Sequence, residues 1–187
     1  MKTIEIRRHA ERHKPGDNLN ARGVARARNA SARDREFALV VTSPVARAIQ
    51  TAVAMGHSVD EEDWTMASMG GALDDFPWDV SFAAMQQEIR ANPVAGAWAT
   101  RQTAQLRYWL SRIEPGEAVL VVNHGGIAEV GIIGLLGDAD TAPLGSSFDT
   151  CEGARLELDG DRVVGVTMLR FEGDREVEIV PDTLNRS

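Results

Sequence analysis

Cysteine is all but missing from this chain. Cys151 stands alone, which excludes an internal disulfide and any zinc site built from several thiolates. Long apolar runs are missing too. No window approaches the ~18 apolar residues of a membrane span. The opening segment, MKTIEIRRHAERHK, holds no apolar stretch of signal-peptide length, so a cytoplasmic protein without a membrane partner is the expectation. Positive charge is in deficit: the formal net charge is -8, which argues against a nucleic-acid partner, because phosphate backbones call for a basic face. One local basic pocket for a small phosphorylated ligand is not excluded by that total. What remains is an ordinary globular composition, with 187 residues, 43% hydrophobic and 26% charged. A chain of that length buries an adequate core without staples.

Patterning supplies the elements. Residues 3–7 alternate around Ile4 and Ile6 as a strand. A polar loop with Pro15 and Gly16 follows and ends at Asn20, a good N-cap for a helix over 21–36. The continuous apolar run at 38–41 suits a strand buried on both faces. Ser43 and Pro44 fit the cap and first position of a second helix running to about 55. The segment 57–97 is irregular, with a helix near 82–90 and a solvated acidic run at 60–63. An amphipathic helix over 98–113 leads through Pro115 and Gly116 to a third strand at 118–122 and an apolar helix ending near 136. Strands at 154–158, 162–171 and 177–180, with a hairpin turn at Asp159-Gly160, close the chain. Arg22, Arg26 and Arg28 fit an exposed helix face. Trp78, Phe76 and Phe82 suit either a substrate wall or core packing.

Alternating strands and helices specify an α/β fold, a three-layer αβα sandwich with a mostly parallel sheet. Sites in such sheets lie beyond the carboxyl ends of the strands. Three segments occupy that position: Arg8-His9-Ala10-Glu11, the stretch from Ser43 to Ala52 with Arg47 inside it, and Asn123-His124-Gly125-Gly126. Two arginines and two histidines gathered at one edge need an anion, and arginine's planar fork suits phosphate oxygens. The double glycine behind His124 favours close approach of a ligand.

These segments resemble the histidine phosphatase superfamily, which includes cofactor-dependent phosphoglycerate mutase. The family's Arg-His-Gly motif is Arg8-His9-Ala10 here, with alanine in place of glycine. Its Ser-Pro-x-x-Arg-Ala-x-x-Thr-Ala signature is matched from Ser43 to Ala52, and its second histidine by His124-Gly125-Gly126. Leu19 and Gly23 match a Leu-Thr-x-x-Gly helix start, with Asn20 for threonine. The resemblance implies a phosphoglycerate mutase-like fold in which 1–187 is one domain carrying a specificity insertion at about 57–97. It implies that His9 is the nucleophile and becomes a phosphohistidine. Arg8, Arg47, His124 and Gly125 would hold the phosphoryl oxygens, with no metal or cofactor. Asn18 stands nearest to the family's asparagine beyond the nucleophile, by a different path.

The family's acid is not matched, because 64–73 carries no carboxylate. Asp75 and Asp74 follow at once and lead the candidates, with Glu11 and Glu129 as alternatives. The expected function is a phosphatase acting on a small phosphomonoester or a phosphoprotein. A mutase-type phosphotransferase and a phosphate-ester-binding module without turnover are the other readings. The insertion carries Arg90 and His57 as its cationic side chains, which favours a compact monophosphate over a polyphosphate. The oligomeric state is left open.

Overall fold

The two apolar runs at 38–41 and 118–122 form the middle of a seven-stranded sheet. A computed structural model describes residues 1–30, 36–68 and 76–178. In chain order its elements are β1 (Lys2–Arg8), α1 (Ala21–Asn29), β2 (Leu39–Thr42), α2 (Ala46–Ala54), β3 (Glu61–Glu62), α3 (Phe82–Ala91) and α4 (Pro93–Ser111). They continue with β4 (Ala118–Asn123), α5 (Ile127–Leu136), β5 (Gly153–Asp159), β6 (Arg162–Leu169) and β7 (Arg175–Val177). The strand order is β3-β2-β4-β1-β5-β6-β7. The first four strands run parallel, and β5 to β7 extend the sheet antiparallel. Gly160, at φ +58, supplies the left-handed residue in the turn between β5 and β6.

Both sheet faces are covered, and the strands show it in their period of two. Ile4, Ile6, Val41, Val119 and Val121 pack with Trp98, Leu106, Trp109 and Ile127 in the main core. Val40, Leu120 and Val122 point the other way, onto Ala48 and Ala52 of α2. The mostly parallel αβα expectation holds at the centre of the sheet, and the C-terminal strands add the antiparallel edge. Among the described residues no helix is long and apolar enough to cross a membrane.

Several local expectations are corrected. Helix α1 stops at Asn29, where the Ala30 N–H closes onto Arg26, and 31–35 lie outside the described residues. Ser43 does not cap α2. The helix starts at Ala46 after Val45, with no side-chain cap, because the Ser43 hydroxyl is engaged by His124. The acidic run at 60–63 is not simply solvated. Asp60 accepts the Val40 N–H (2.8 Å), and buried Asp63 accepts the indole N–H of Trp109 (2.8 Å), tying the β3 edge to α4. Arg26 is not free on a helix face: it pairs with Asp149 and covers the Phe171 ring at 3.8 Å. Phe76 and Phe82 are core residues.

Asn20 does cap α1, its side chain accepting the Gly23 N–H at 2.7 Å. Gly23 is required for a second reason. A Cβ there would stand 2.0 Å from the carbonyl oxygen of Glu11, two residues past the Arg8-His9 pair. Backbone cannot yield as a flexible side chain can, so Gly23→Ala must push α1 away from this loop. We expect a loss of about 1–3 kcal/mol of stability, read as a lowered urea midpoint with unchanged slope. A midpoint equal to wild type would show that the contact relaxes freely.

Candidate active site

Strand register brings the three motifs to one edge. β1 and β4 are parallel neighbours with Arg8 opposite Asn123, and β2 lies on the other side of β4 with Thr42 opposite Val122. The last ladder bonds run from the His9 N–H to the Asn123 carbonyl (2.8 Å) and from the Ser43 N–H to the Val122 carbonyl (2.9 Å). Each strand therefore releases its chain at the same height. His9, Arg47 in the first turn of α2, and His124 just before α5 converge there. The His9 and His124 rings stand 5.2 Å apart at 66°.

The hydrogen bonds of His9 fix its tautomer. Arg47 Nε donates to His9 Nε2 at 3.0 Å, so that nitrogen carries the lone pair. Nδ1 lies 2.7 Å from the Ala10 carbonyl, which can only accept, so the ring proton is on Nδ1. Burial, chiefly, pushes the His9 pKa from 6.5 down to about 4, against the raising effect of the Ala10 carbonyl and with the help of Arg47, Arg8 and Arg12. The ring is a neutral imidazole at physiological pH, with its lone-pair nitrogen held against a guanidinium. The Ala10 N–H donates to Thr51 Oγ1 (2.8 Å), and the Thr51 hydroxyl donates to the Arg47 carbonyl (2.6 Å). The strand end is thereby locked to α2. The Ala10 methyl packs in a small cluster with Leu19, Ala27, Met55 and Cys151, a contact that glycine would forgo.

Arg8 is held by the Phe148 carbonyl through Nη1. The glycine pair explains how it fits. A Cβ on Gly125 would stand 2.7 Å from the guanidinium carbon of Arg8, and one on Gly126 (φ +84) would stand 2.2 Å from the Trp78 ring. The close approach read into these glycines is therefore made by the protein's own Arg8 and Trp78. Under Arg8 lies Glu129, fully buried, accepting the Gly126 N–H (2.6 Å) and the Phe148 N–H (2.8 Å) through its two oxygens. Its burial raises its pKa, while those amides and Arg8 oppose the rise.

His124 is 5% exposed. Its Nε2 shares a hydrogen bond with Ser43 Oγ (2.8 Å). Burial first, and then Arg47, His9 and Arg8, pushes its pKa from 6.5 to about 3. Among the described residues, Arg8 Nε, His124 Nδ1, Thr42 Oγ1 and Asn123 Oδ1 are buried without a hydrogen-bond partner. All four belong to the ends of β1, β2 and β4. Buried polar atoms are rarely left so, and these four lie at the strand ends where the three motifs meet.

The remaining candidates separate. Asp75 and Asp74 lie outside the described residues. Glu129 cannot serve as a solvent-facing acid, since both oxygens are spent on backbone amides in the core. Glu11 is turned to the start of α1, accepting from Asn20 Nδ2 (2.9 Å) and lying 3.5 Å from Arg22. Asn18 sits beside the site, but its side-chain oxygen accepts from Gln50 Nε2 (2.8 Å), so its role here is to anchor the loop. The sequence reading missed Asp17, whose Oδ1 accepts from Arg47 Nη1. No local pattern marks it: the loop folds back as Arg12 pairs with Leu19, and that pairing carries Asp17 toward α2.

The chain matches the model of the Histidine phosphatase superfamily (branch 1) over residues 6–169. No curated protein matches it in sequence. Among solved structures it is similar to phosphoglycerate mutase from Bacillus anthracis (16% identity over 87% of this chain and 90% of that one, TM-score 0.61). It is also similar to a mycobacterial glucosyl-3-phosphoglycerate phosphatase (20%, 84% and 93%, TM-score 0.55). A third is phosphoserine phosphatase from Entamoeba histolytica in complex with 3-phosphoglyceric acid (14%, 98% and 98%, TM-score 0.56). At these identities the structures share the fold, and they include both mutases and phosphatases. The family match spans all three strand-end motifs, and the chain belongs to the histidine phosphatase superfamily.

Proposed function

We propose that the protein is a metal-independent phosphatase that hydrolyses a small phosphomonoester, or a phosphoprotein, through a phosphohistidine on His9. The observation that carries this reading is the paired bonding of His9: Nδ1–H to the Ala10 carbonyl, and the Nε2 lone pair toward Arg47. A merely structural histidine has no need of a neutral ring aimed at a guanidinium, whereas a nucleophile does.

On this reading the incoming phosphoryl group takes the Arg47 hydrogen bond away from Nε2 and frees the lone pair for in-line attack. The Ala10 carbonyl keeps the proton on Nδ1 as the ring gains positive character. Arg8, Arg47 and His124 surround the equatorial oxygens, and the Gly125 backbone borders them. Fixed cations then offset the charge without a metal ion. Water completes the cycle by releasing phosphate from His9. Arg90 is the one arginine or lysine of 57–97, and burial lowers the pKa of His57, so this segment, acting as the specificity insertion, suits a compact monophosphate. Support for a hydrolase rather than a bare binder comes from the intact nucleophile and its tautomer-fixing partner. The likeness to the mycobacterial and amoebic phosphatases agrees with it.

Hydrolysis of p-nitrophenyl phosphate in the presence of a chelator is expected from wild type and not from His9→Ala. Arg47→Ala should lower kcat by ~10²–10³-fold, as loss of a preorganised donor does. Turnover that persists in His9→Ala, or that stops with the chelator, would overturn the reading. Interconversion of glycerate phosphates without net hydrolysis would convert it to a mutase.

A second expectation concerns pH. The folded pKa of His9, about 4, lies below its ordinary 6.5. Between those values the unfolded chain binds a proton that the folded chain refuses. The stability linked to this ring is therefore complete above 6.5 and is lost as pH falls toward about 4. Imidazole NMR should show His9 still neutral at pH 6, with a midpoint near 4. A midpoint near 6.5 would contradict the buried, cation-flanked site.

A further inference from the structure

Inside the proposed phosphatase reaction one role lacks an owner among the described residues: the acid that protonates the leaving oxygen. Glu129 and Glu11 are spent elsewhere. Asp17 is not. Among the described residues it is the carboxylate paired directly with a member of the group Arg8, His9, Arg47 and His124. It meets Arg47 through Nη1, while Nε of the same planar guanidinium holds the nucleophilic Nε2 of His9. Nucleophile and carboxylate thus flank one rigid group.

The loop that carries Asp17 is built to stay there. Gln50 lies one turn beyond Arg47 on α2, on the same helix face. Its side chain donates to Asn18 Oδ1 (2.8 Å) and accepts the Leu19 N–H (2.7 Å). Arg12 closes the other side, donating to the Gly16 carbonyl (2.6 Å), with its Nη1 4.0 Å from Asp17 Oδ1. The Asp17 side chain is 56% exposed and that of Arg47 19%, so the carboxylate is the more solvent-facing partner of the pair. In-line displacement sends the leaving oxygen away from the nucleophile. An acid on an exposed loop beside Arg47 can meet that oxygen once substrate has taken its place on the guanidinium.

We propose that Asp17 is the general acid and base of this enzyme, and that in the free protein it rests on Arg47 in the place the substrate's phosphoryl oxygens will take. The inference rests on the phosphohistidine reading above. Substrate phosphate displaces the carboxylate from Arg47, and Asp17 enters the first half of the reaction as the carboxylic acid, its proton drawn from solvent. The lone pair of His9 Nε2 then forms the N–P bond. The bonding pair of the breaking P–O bond goes to the leaving oxygen, which receives the Asp17 proton and departs as an alcohol. In the second half, Asp17 takes a proton from water and the water oxygen forms the new O–P bond. The N–P pair returns to Nε2, and phosphate leaves. Asp17 ends the cycle protonated, releases that proton to solvent and returns to Arg47 as the carboxylate.

Leaving groups of different basicity test this. An alkoxide needs a proton, and p-nitrophenolate hardly does. We expect Asp17→Asn to lose ~10²–10³-fold in kcat/KM on glycerol 2-phosphate, the scale of general acid catalysis, and less than about tenfold on p-nitrophenyl phosphate. A stopped-flow burst of p-nitrophenol should appear as the phosphoenzyme accumulates without its base. Asp17→Glu, which keeps a carboxyl group, should recover much of the alkyl activity, and an unchanged melting temperature would exclude a folding defect. Equal losses on both esters, or gains on both, would make Asp17 only a competitor for Arg47 and overturn the inference. So would the selective alkyl loss appearing in Asp75→Asn instead. Failure of the underlying reading looks different: wild type would then give no phosphate label on His9 from either ester.

Discussion

The bond from Arg47 Nε to His9 Nε2 sets the terms for everything around it. A guanidinium can donate to an imidazole nitrogen only if that nitrogen is unprotonated, so the pair is self-consistent only while the ring is neutral. Burial supplies most of that condition, and the neighbouring arginines add to it. The Ala10 carbonyl, meanwhile, claims the ring's one proton on the opposite nitrogen. A ring gripped from both sides cannot flip or exchange tautomers without losing a buried hydrogen bond. The site's geometry therefore follows from one charge state, and that charge state follows from the desolvation that the sandwich imposes at the mouth of its sheet.

Holding two guanidiniums near two imidazoles would be costly if nothing answered their charge. Arg8 is answered from below by the Phe148 carbonyl and the field of buried Glu129. Arg47 is answered from outside by Asp17. The two carboxylates differ in what can move. Glu129 is tied to two backbone amides, so its compensation is permanent. Asp17 is exposed on a loop, so its compensation can be withdrawn when an anionic guest arrives. On the proposed reading, withdrawal would leave Arg47 free to meet a phosphoryl group inside a chain whose net charge is -8. Selectivity for an anion here is a property of burial and placement, not of overall charge.

The parts of this arrangement legible in the sequence are those with short-range rules. Apolar runs at 38–41 and 118–122 announced buried parallel strands, and strand ends announced where Arg8, His9, Arg47 and His124 would meet. The parts that escaped depend on contacts far apart in the chain. Ser43 looked like a helix cap because its partner, His124, lies 81 residues away. Asp63 looked solvated because the indole of Trp109 that receives it lies 46 residues on. The glycine pair at 125–126 suggested room for a ligand, but the groups that use the space are Arg8 and Trp78, which no local pattern names. Asp17 escaped for the same reason. Asn18 beside it matched an expected residue type, and only the folded loop shows that asparagine facing Gln50 and the aspartate facing Arg47.

Placing the acid on the loop after β1 changes what the rest of the molecule is asked to do. Every reacting group then belongs to the ends of β1, β2 and β4 or to the loop clamped onto α2 by Gln50. The distances among these groups are set by ladder register and one helix turn, both of which are stiff. On that proposal the described parts of the segment, 57–68 and 76–97, carry none of the reacting groups. A stretch that must present a carboxylate to the leaving oxygen is constrained in path and length. One that only borders the substrate can vary in both without disturbing the nucleophile, since α3 and α4 bear on the sheet through the apolar core and touch none of the reacting groups' hydrogen bonds. On the proposed reading, recognition and catalysis would be carried by separate elements, and a change of substrate would not cost the chain its reaction.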